Sequence, residues 1–215
     1  MNARRRLAFF LIPVLWLAAG SPAGAHRVDE YLQATRIALG IERVDLEIDL
    51  TPGMSVASDV LGWIDTNADG HVSQIEAAAY AREMLRSVAL SMDGRPVEIS
   101  LVSTSLPEPR EMSLGTGTVR VRATAKVPAQ WPGHHRVSYS NTHRPESSVY
   151  LVNALVPADA RIEIAGQRRD NEQHGLTLEY TVAADPKWRP WLFIGLAMAG
   201  MLSVFRLPRP KAFSA

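Results

Sequence analysis

The stretch Val44-Asp45-Leu46-Glu47-Ile48-Asp49-Leu50 decides the fold of this chain, because apolar and acidic residues alternate in it without a break. Successive side chains of a β-strand point to opposite faces of the sheet, so the pattern predicts a strand with one buried face and one face in water. A second segment with this pattern, residues 32–39, precedes it. The folded part of the chain therefore begins with β-structure, which Thr51-Pro52-Gly53 brings to a stop.

Further short segments have the composition of strands. They cover residues 88–92, 97–102, 118–127, 136–140, 148–152, 160–167 and 176–182. Asp93-Gly94 predicts a hairpin turn between the first two of these segments, and a connection with prolines follows over residues 106–111. Many short strands separated by Pro, Gly and Asn turns indicate a mainly β fold, which we expect to be an antiparallel β-sandwich.

An acidic segment, Asp65-Thr66-Asn67-Ala68-Asp69-Gly70-His71-Val72-Ser73-Gln74-Ile75-Glu76, interrupts this β pattern. It offers side-chain oxygens at its first, third, fifth, ninth and twelfth positions and a backbone carbonyl at its seventh. Ca²⁺ prefers about six to eight oxygen ligands at roughly 2.3–2.6 Å. The predicted ligands are Asp65, Asn67, Asp69, the carbonyl of His71, Ser73 through a water, and both carboxylate oxygens of Glu76.

This segment resembles the EF-hand, whose D-x-N-x-D-G-x-V-S-x-x-E form it matches at each defining position. Residues 55–64 and 75–87 carry apolar residues at helical spacing, so we expect a helix–loop–helix insertion over residues 55–87. The resemblance implies that Val72 pairs with a second hand. Since the pattern occurs once in the chain, Val72 is left to pack on a sandwich strand, on another subunit or on nothing. The alternative is an acidic surface loop without a metal.

The N-terminus has the parts of a secretory signal. Three arginines, Arg4 to Arg6, precede an apolar run over residues 7–19, and Ala23-Gly24-Ala25 offers a cleavage site with small residues. We expect a signal peptide over residues 1–25, exported by the general or the twin-arginine route, and His26 as the mature N-terminus. An uncleaved membrane anchor is the alternative.

The C-terminus contains a second apolar run, from Trp191 to Phe205, with basic residues on both sides. It predicts a single transmembrane helix over residues 188–207, because flanking arginines can reach the membrane surface and Trp favours the interface. A cytoplasmic tail over residues 208–215 would follow, with the β-domain, residues 26–185, outside the membrane in the periplasm. A helix buried in the domain is the alternative.

Composition excludes several classes of protein. The formal net charge of the 215 residues is +1, so nothing indicates binding to nucleic acid, which requires a basic face. There is no cysteine, which excludes disulfides and thiol chemistry. Gly115-Thr116-Gly117 lacks the remaining residues of a phosphate loop and is read as a turn. No sequence motif supports catalysis, so we expect a protein that is not an enzyme.

Histidines suggest a different metal site. His26 at a free N-terminus could bind copper or nickel through its amine and imidazole, and His134, His135 and His143 could add nitrogen ligands. However, neighbouring residues on a strand point to opposite faces, so His134 and His135 should not share an ion. The alternative is that these are ordinary surface histidines. Arg168-Arg169-Asp170 is read as a charged strand end, with a binding patch as the alternative.

The wider chain is similar to bacterial exported proteins that share segments like those over residues 25–34 and 148–154. It is more loosely similar to the extracytoplasmic part of HupE/UreJ-type metal-accessory membrane proteins, whose multi-helix membrane domain it lacks. Three functions follow as hypotheses: a membrane-anchored calcium-binding module with a structural or sensing role, a periplasmic copper or nickel binder, and an adaptor that docks a protein partner in the membrane.

Overall fold

A computed structural model describes residues 29–184. In this part of the chain, ten strands form two stacked sheets, and three helices lie in the connections between strands. The strands are β1 Tyr31–Leu39, β2 Arg43–Pro52, β3 Val88–Met92, β4 Arg95–Pro96, β5 Ile99–Ser105, β6 Val119–Lys126, β7 Gly133–Asn141, β8 Ser148–Ala154, β9 Ile162–Arg169 and β10 Gly175–Val182. The helices are α1 Ala57–Ile64, α2 Gln74–Arg86 and α3 Pro109–Ser113. The predicted mainly β class is confirmed.

The first sheet has the order β5-β6-β2-β1-β8 and the second the order β4-β3-β7-β10-β9. As the alternation predicts, β2 buries its apolar residues and turns its acidic residues outward. Asp49 on this outer face bonds to Arg36 of β1 at 2.6 Å and to Arg120 of β6 at 2.8 Å. The outer face of β2, the central strand of this sheet, is therefore covered by ion pairs between neighbouring strands and not by a further layer of secondary structure.

The expectation of a purely antiparallel sandwich is wrong at one strand. β8 pairs with β1 in parallel, from Tyr31 opposite Ser148 to Ile37 opposite Ala154, so the first sheet is mixed. The reason is topological. The chain leaves β7 in the second sheet and crosses to the first sheet instead of forming a hairpin, and β8 then runs in the direction of β1.

The hairpin predicted over residues 88–102 is wrong in its second strand. Asp93 and Gly94 form the expected turn, with φ of 49° and 77°. However, the hairpin partner of β3 is only the two-residue β4, while the other side of β3 pairs with β7. The last bond of the hairpin runs from Val97 N to Leu90 O at 2.9 Å. The chain then crosses to the first sheet, where β5 pairs with β6 and covers an edge that would otherwise be open.

The connection predicted over residues 106–111 contains the start of a short helix, α3. Pro109 stands at the beginning of this helix, where its missing N–H costs nothing, and Met112 is buried. Gly115 follows with φ of 70°, and the N–H groups of Thr116 and Gly117 bond to Glu111 O. The glycine segment is therefore a turn after a helix, as predicted.

Side chains of β9 close the gap between the edges of the two sheets. Arg169 Nε donates to Val152 O at 2.6 Å, and its guanidinium also bonds to Asn153. Gln167 Oε1 accepts from Ala154 N at 3.2 Å. The charged end of β9 thus protects the free edge of β8 from pairing with another chain.

The two ends of the sandwich differ. At the end where β2 finishes lie α1, α3 and residues 65–76, and we call it the loop end. At the opposite end, where β10 finishes at Val182, lie the connections over residues 40–42, 127–132 and 155–161, and we call it the exit end. Within residues 29–184 no helix is both long and apolar enough to cross a bilayer. The predicted segments 1–25, 188–207 and 208–215 lie outside the described residues.

Candidate metal centre

The acidic segment joins two helices, as predicted. α1 ends at Ile64, and the Asp65 N–H bonds to Leu61 O at 2.8 Å, so the segment starts directly from the last helical turn. α2 begins at Gln74 with Ser73 as its N-cap. Eight residues of α1 and thirteen of α2 therefore fix both ends of the segment.

Three of the predicted ligands, Asp65, Asn67 and Asp69, are joined by hydrogen bonds within the loop, and Asn67 Nδ2 donates to Asp69 Oδ2 at 3.0 Å. The Asp69 N–H lies 3.2 Å from Asp65 Oδ1 and 2.9 Å from Asn67 Oδ1, so both oxygens approach the same amide. Asp65 Oδ2 accepts from Gly70 N at 2.9 Å, and Asp69 Oδ1 accepts from His71 N at 2.8 Å. The carboxylates of Asp65 and Asp69 and the amide of Asn67 are thus held by backbone donors of one tight turn.

Two residues of this turn have positive φ. Gly70 has φ of 79°, which glycine adopts without a Cβ clash, and this agrees with its predicted place at the sharp turn. Ala68 has φ of 56°. For a residue with a Cβ, the left-handed conformation costs roughly 1–2 kcal/mol, so the loop stores strain at Ala68.

Glu76 ties the beginning of the segment to its end. Its Oε1 accepts from Thr66 N at 3.0 Å, from Thr66 Oγ1 at 3.2 Å and from Asn67 N at 3.3 Å. Its Oε2 accepts from the N–H and the hydroxyl of Ser73 at 2.9 and 2.8 Å, and Ser73 Oγ accepts from Glu76 N in return. These bonds lower the pKa of Glu76 to about 2, and the bonds from Ser73 have the largest effect. Glu76 is therefore ionised at neutral pH.

The predicted ligands have the chemistry that a hard cation prefers, since all the ligand atoms are oxygens and three of the groups are carboxylates. In the part of the chain that the structure describes, however, no group of three or more His, Asp and Glu side chains is arranged to hold a metal ion. The carboxylate of Glu76 is directed to Thr66, Asn67 and Ser73. A calcium ion bound by the full predicted set would share Glu76 with these donors.

Val72 packs against the hydrophobic core of its own chain and is half-buried. Of the three positions considered for this side chain, the one without any packing is therefore excluded, while pairing with a sandwich strand stays a prediction. This contact holds the middle of the loop against the domain.

Within residues 29–184, His134, His135 and His143 are not brought together at one metal site. His26 lies outside the described residues, and His134 and His135 lie on opposite faces of β7. His135 Nδ1 is 2.8 Å from Asp93 Oδ2. Burial opposes protonation of His135, but the bonds to Asp93 and to the carbonyl of Trp131 outweigh it and raise its pKa.

His143 is buried, so the alternative that the histidines are ordinary surface residues is wrong for His143. Its exposed fraction is 4%, and its Nε2 lies 3.1 Å from the hydroxyl of Tyr80. The Tyr80 hydroxyl lies 2.9 Å from that of Tyr31, which is fully buried. Burial, with the nearby charge of Arg144, lowers the pKa of His143 to about 4, so the ring is neutral at pH 7.

More buried polar groups surround the backbone of His143. Its carbonyl accepts from Gln33 Nε2 at 2.7 Å and from Tyr150 Oη at 2.8 Å. Gln33 Oε1 accepts from Asn141 Nδ2 at 2.9 Å. We call Tyr31, Gln33, Tyr80, Asn141, His143 and Tyr150 the polar core cluster. It joins α2, which follows the acidic loop, to β1 and to the connection after β7.

Sequence reasoning missed this cluster, although one signal for it exists. The buried positions of β1 are Tyr31, Gln33, Thr35, Ile37 and Leu39, so the alternation itself places Gln33 and Thr35 in the interior. A buried glutamine requires partners, which predicts a polar network beneath β1. The partners lie far away in the sequence, and no local pattern identifies them.

Comparisons with protein-family models, with curated proteins and with solved structures find no match for this chain.

Proposed function

We propose that this protein is an extracytoplasmic, membrane-anchored module that binds one calcium ion in the loop over residues 65–76. The observation that carries the proposal is the approach of Asp65 Oδ1 and Asn67 Oδ1 to the same amide of Asp69. It brings a charged and a neutral oxygen ligand together beside a third, Asp69, with no cationic side chain between them.

The charge of the loop supports a cation. Among the ion pairs of the described residues, no Lys or Arg pairs with Asp65, Asp69 or Glu76, and the one contact is His71 Nδ1 at 4.0 Å from Asp69. Three carboxylates within one short loop repel one another. A bound Ca²⁺ would relieve this repulsion, and binding to the folded state alone would stabilise the domain.

A structural role is favoured over a switch. A sensor opens by changing the angle between its two helices. Here Val72 packs against the core, and Tyr80 of α2 is bonded to Tyr31 of β1. Opening the helix pair would break these buried contacts, so we expect calcium to stiffen the loop with little change in helix packing.

The test is a calcium titration of the metal-stripped full chain by calorimetry, with melting curves in calcium and in chelator. We expect one site and a higher melting temperature in calcium. Asp69→Asn removes one ligand charge while keeping an oxygen acceptor, and should weaken binding on the order of tenfold. Asp59→Asn removes an exposed acidic charge from α1 and is the matched control.

No binding heat and no shift in melting temperature would overturn the proposal. Equal affinities of the wild type and Asp69→Asn would also overturn it, because the ion would then lie elsewhere.

A further inference from the structure

The described chain leaves the sandwich between two loops of the exit end. Val182, the last residue of β10, pairs with Gly133 on one side and with Ile162 on the other. Ala183 N bonds to Arg161 O at 2.7 Å. Gly133 directly follows the loop over residues 127–132, and Ile162 directly follows the loop over residues 155–161. Both loops therefore flank the start of the segment that continues toward the C-terminus.

These two loops present large apolar side chains to solvent. Trp131 is 79% exposed in the first loop, and Val156 is 92% exposed in the second, next to Leu155 at 44%. Exposing these side chains to water forfeits the stabilisation that burial of their apolar area would bring. Apolar side chains grouped at one end of a domain indicate a surface that is covered in its working state.

The loop that carries Trp131 is held in place by its neighbours. Gln130 Nε2 donates to Ile41 O at 2.9 Å, and Tyr180 Oη donates to Gln130 Oε1 at 2.7 Å. His135 Nε2 lies 2.7 Å from the carbonyl of Trp131. The segment around Trp131 is thus fixed to the connection over residues 40–42, to β7 and to β10, while its indole is exposed to solvent.

We propose that the exit end lies on the lipid bilayer, with Trp131 and Val156 in the interfacial layer and the acidic loop on the side facing away from the membrane. This inference rests on the anchor over residues 188–207, which is part of the proposed function. Four residue steps separate Ala184 from Trp188, so the chain between them spans at most about 14 Å. The exit end is therefore tethered close to the membrane, where Trp gains by placing its ring among the headgroups.

The loop end also exposes apolar residues, and it provides the control. Met54, Ile75 and Leu114 are 57%, 82% and 53% exposed there. The chain does not continue from that end toward the anchor, because strands of eight to ten residues separate it from Val182. At about 3.3 Å per residue, the two ends are on the order of 25–30 Å apart. Ile75 should therefore remain in water.

The chain has no cysteine, so a single substitution gives one labelling site. The full chain carrying Trp131→Cys, Val156→Cys or Ile75→Cys would be labelled with the same environment-sensitive nitrobenzoxadiazole dye. Each protein would be reconstituted in vesicles of phosphatidylcholine and phosphatidylglycerol. The readouts are the emission maximum, quenching by a spin label attached to lipid, quenching by iodide from water, and flotation with the vesicles. Circular dichroism of each labelled variant confirms that it is folded.

We expect blue-shifted emission and lipid quenching at positions 131 and 156, with iodide quenching only at position 75. If the protein floats but positions 131 and 156 behave like position 75, the proposed orientation is wrong while the anchor stands. Lipid quenching at position 75 would likewise overturn the orientation. If the protein does not float, the anchor itself fails. Calcium titration of the same samples decides the metal site separately.

Discussion

The hydroxyl of Tyr80 lies 3.1 Å from Nε2 of His143 in the interior of the domain. Tyr80 belongs to α2, one turn after Glu76, and His143 belongs to the connection between β7 and β8. Their rings meet edge to face with centroids 5.7 Å apart. A buried polar contact therefore attaches α2 to the sandwich. Because α2 directly follows the acidic loop, this contact also fixes the position of the end of the loop.

Tyr80→Phe should destabilise the domain. The substitution keeps the ring but leaves the buried Nε2 of His143 and the hydroxyl of Tyr31 without their shared partner. An unsatisfied buried polar group costs about 1–3 kcal/mol. At roughly 2–4 °C per kcal/mol for a protein of this size, thermal melting should show the loss clearly. Tyr150→Phe, which removes one of several bonds to the carbonyl of His143, should lower the melting temperature less. A Tyr80→Phe protein as stable as the wild type would show that the contact contributes nothing.

Stability should fall as the pH is lowered from about 6.5 to about 4, because the folded state lowers the pKa of His143 from 6.5 to about 4. In this range the unfolded chain binds a proton that the folded chain excludes, so acid favours unfolding. The full contribution is on the order of 3 kcal/mol, since one pKa unit corresponds to about 1.4 kcal/mol. His135 acts above this range, since its raised pKa gives stability that is lost as the pH rises past 6.5.

Melting temperatures from pH 7 to pH 4 check this prediction, with His143→Gln as the comparison. The variant has no titrating ring, so its curve should be flatter between pH 6.5 and pH 4.5, above the range in which most carboxylates titrate. Parallel curves for the two proteins would contradict the assignment.

Local pattern predicts a great deal of this structure. The alternation over Val44–Leu50 defines which face of β2 is buried, and the acidic segment correctly predicts two helices around a turn at Gly70. Both features depend on neighbours in sequence, since strand and helix periodicity and the φ preference of glycine are local properties.

Long-range partners are what the pattern does not contain. His143 lies in a polar stretch typical of a surface loop, and its burial depends on Tyr80, 63 residues earlier in the chain. The crossing of β5 to the first sheet depends in the same way on the free edge of β6. The sequence predicts Glu76 as a calcium ligand but does not predict its bonds to Thr66 and Asn67. These bonds depend on the closed form of the loop.

Ala68→Gly should stabilise the protein. The backbone of Ala68 has φ of 56°, a conformation that glycine adopts without strain. Relief of roughly 1–2 kcal/mol is offset by the greater freedom of glycine in the unfolded chain, about 0.4–1 kcal/mol. We expect a net gain of about 0.5–1 kcal/mol by thermal or denaturant unfolding. The same substitution at the exposed Ala79 in α2 is the control, and it should cost about 1 kcal/mol because glycine weakens a helix. A loss of stability in Ala68→Gly would contradict the strain at this position.

Glu76→Gln should lower stability even in the absence of calcium. The carboxylate accepts from Thr66, Asn67 and Ser73 at once, and a glutamine side chain has one acceptor oxygen and an NH₂ group that would face these donors. The loop should therefore loosen, and the melting temperature in chelator should fall below that of the wild type. Asp69→Asn keeps its bond to His71 N and loses only the exposed bond from Asn67 Nδ2, so it is expected to melt closer to the wild type than Glu76→Gln under these conditions.

Glu76 thus has two separable effects. If it only bound the ion, Glu76→Gln and the wild type would melt together in chelator and differ in calcium. If it only held the loop, the difference in melting temperature would be the same with and without calcium. Because the carboxylate already joins Thr66 to Ser73 in the structure, we expect a difference in chelator that grows when calcium is added.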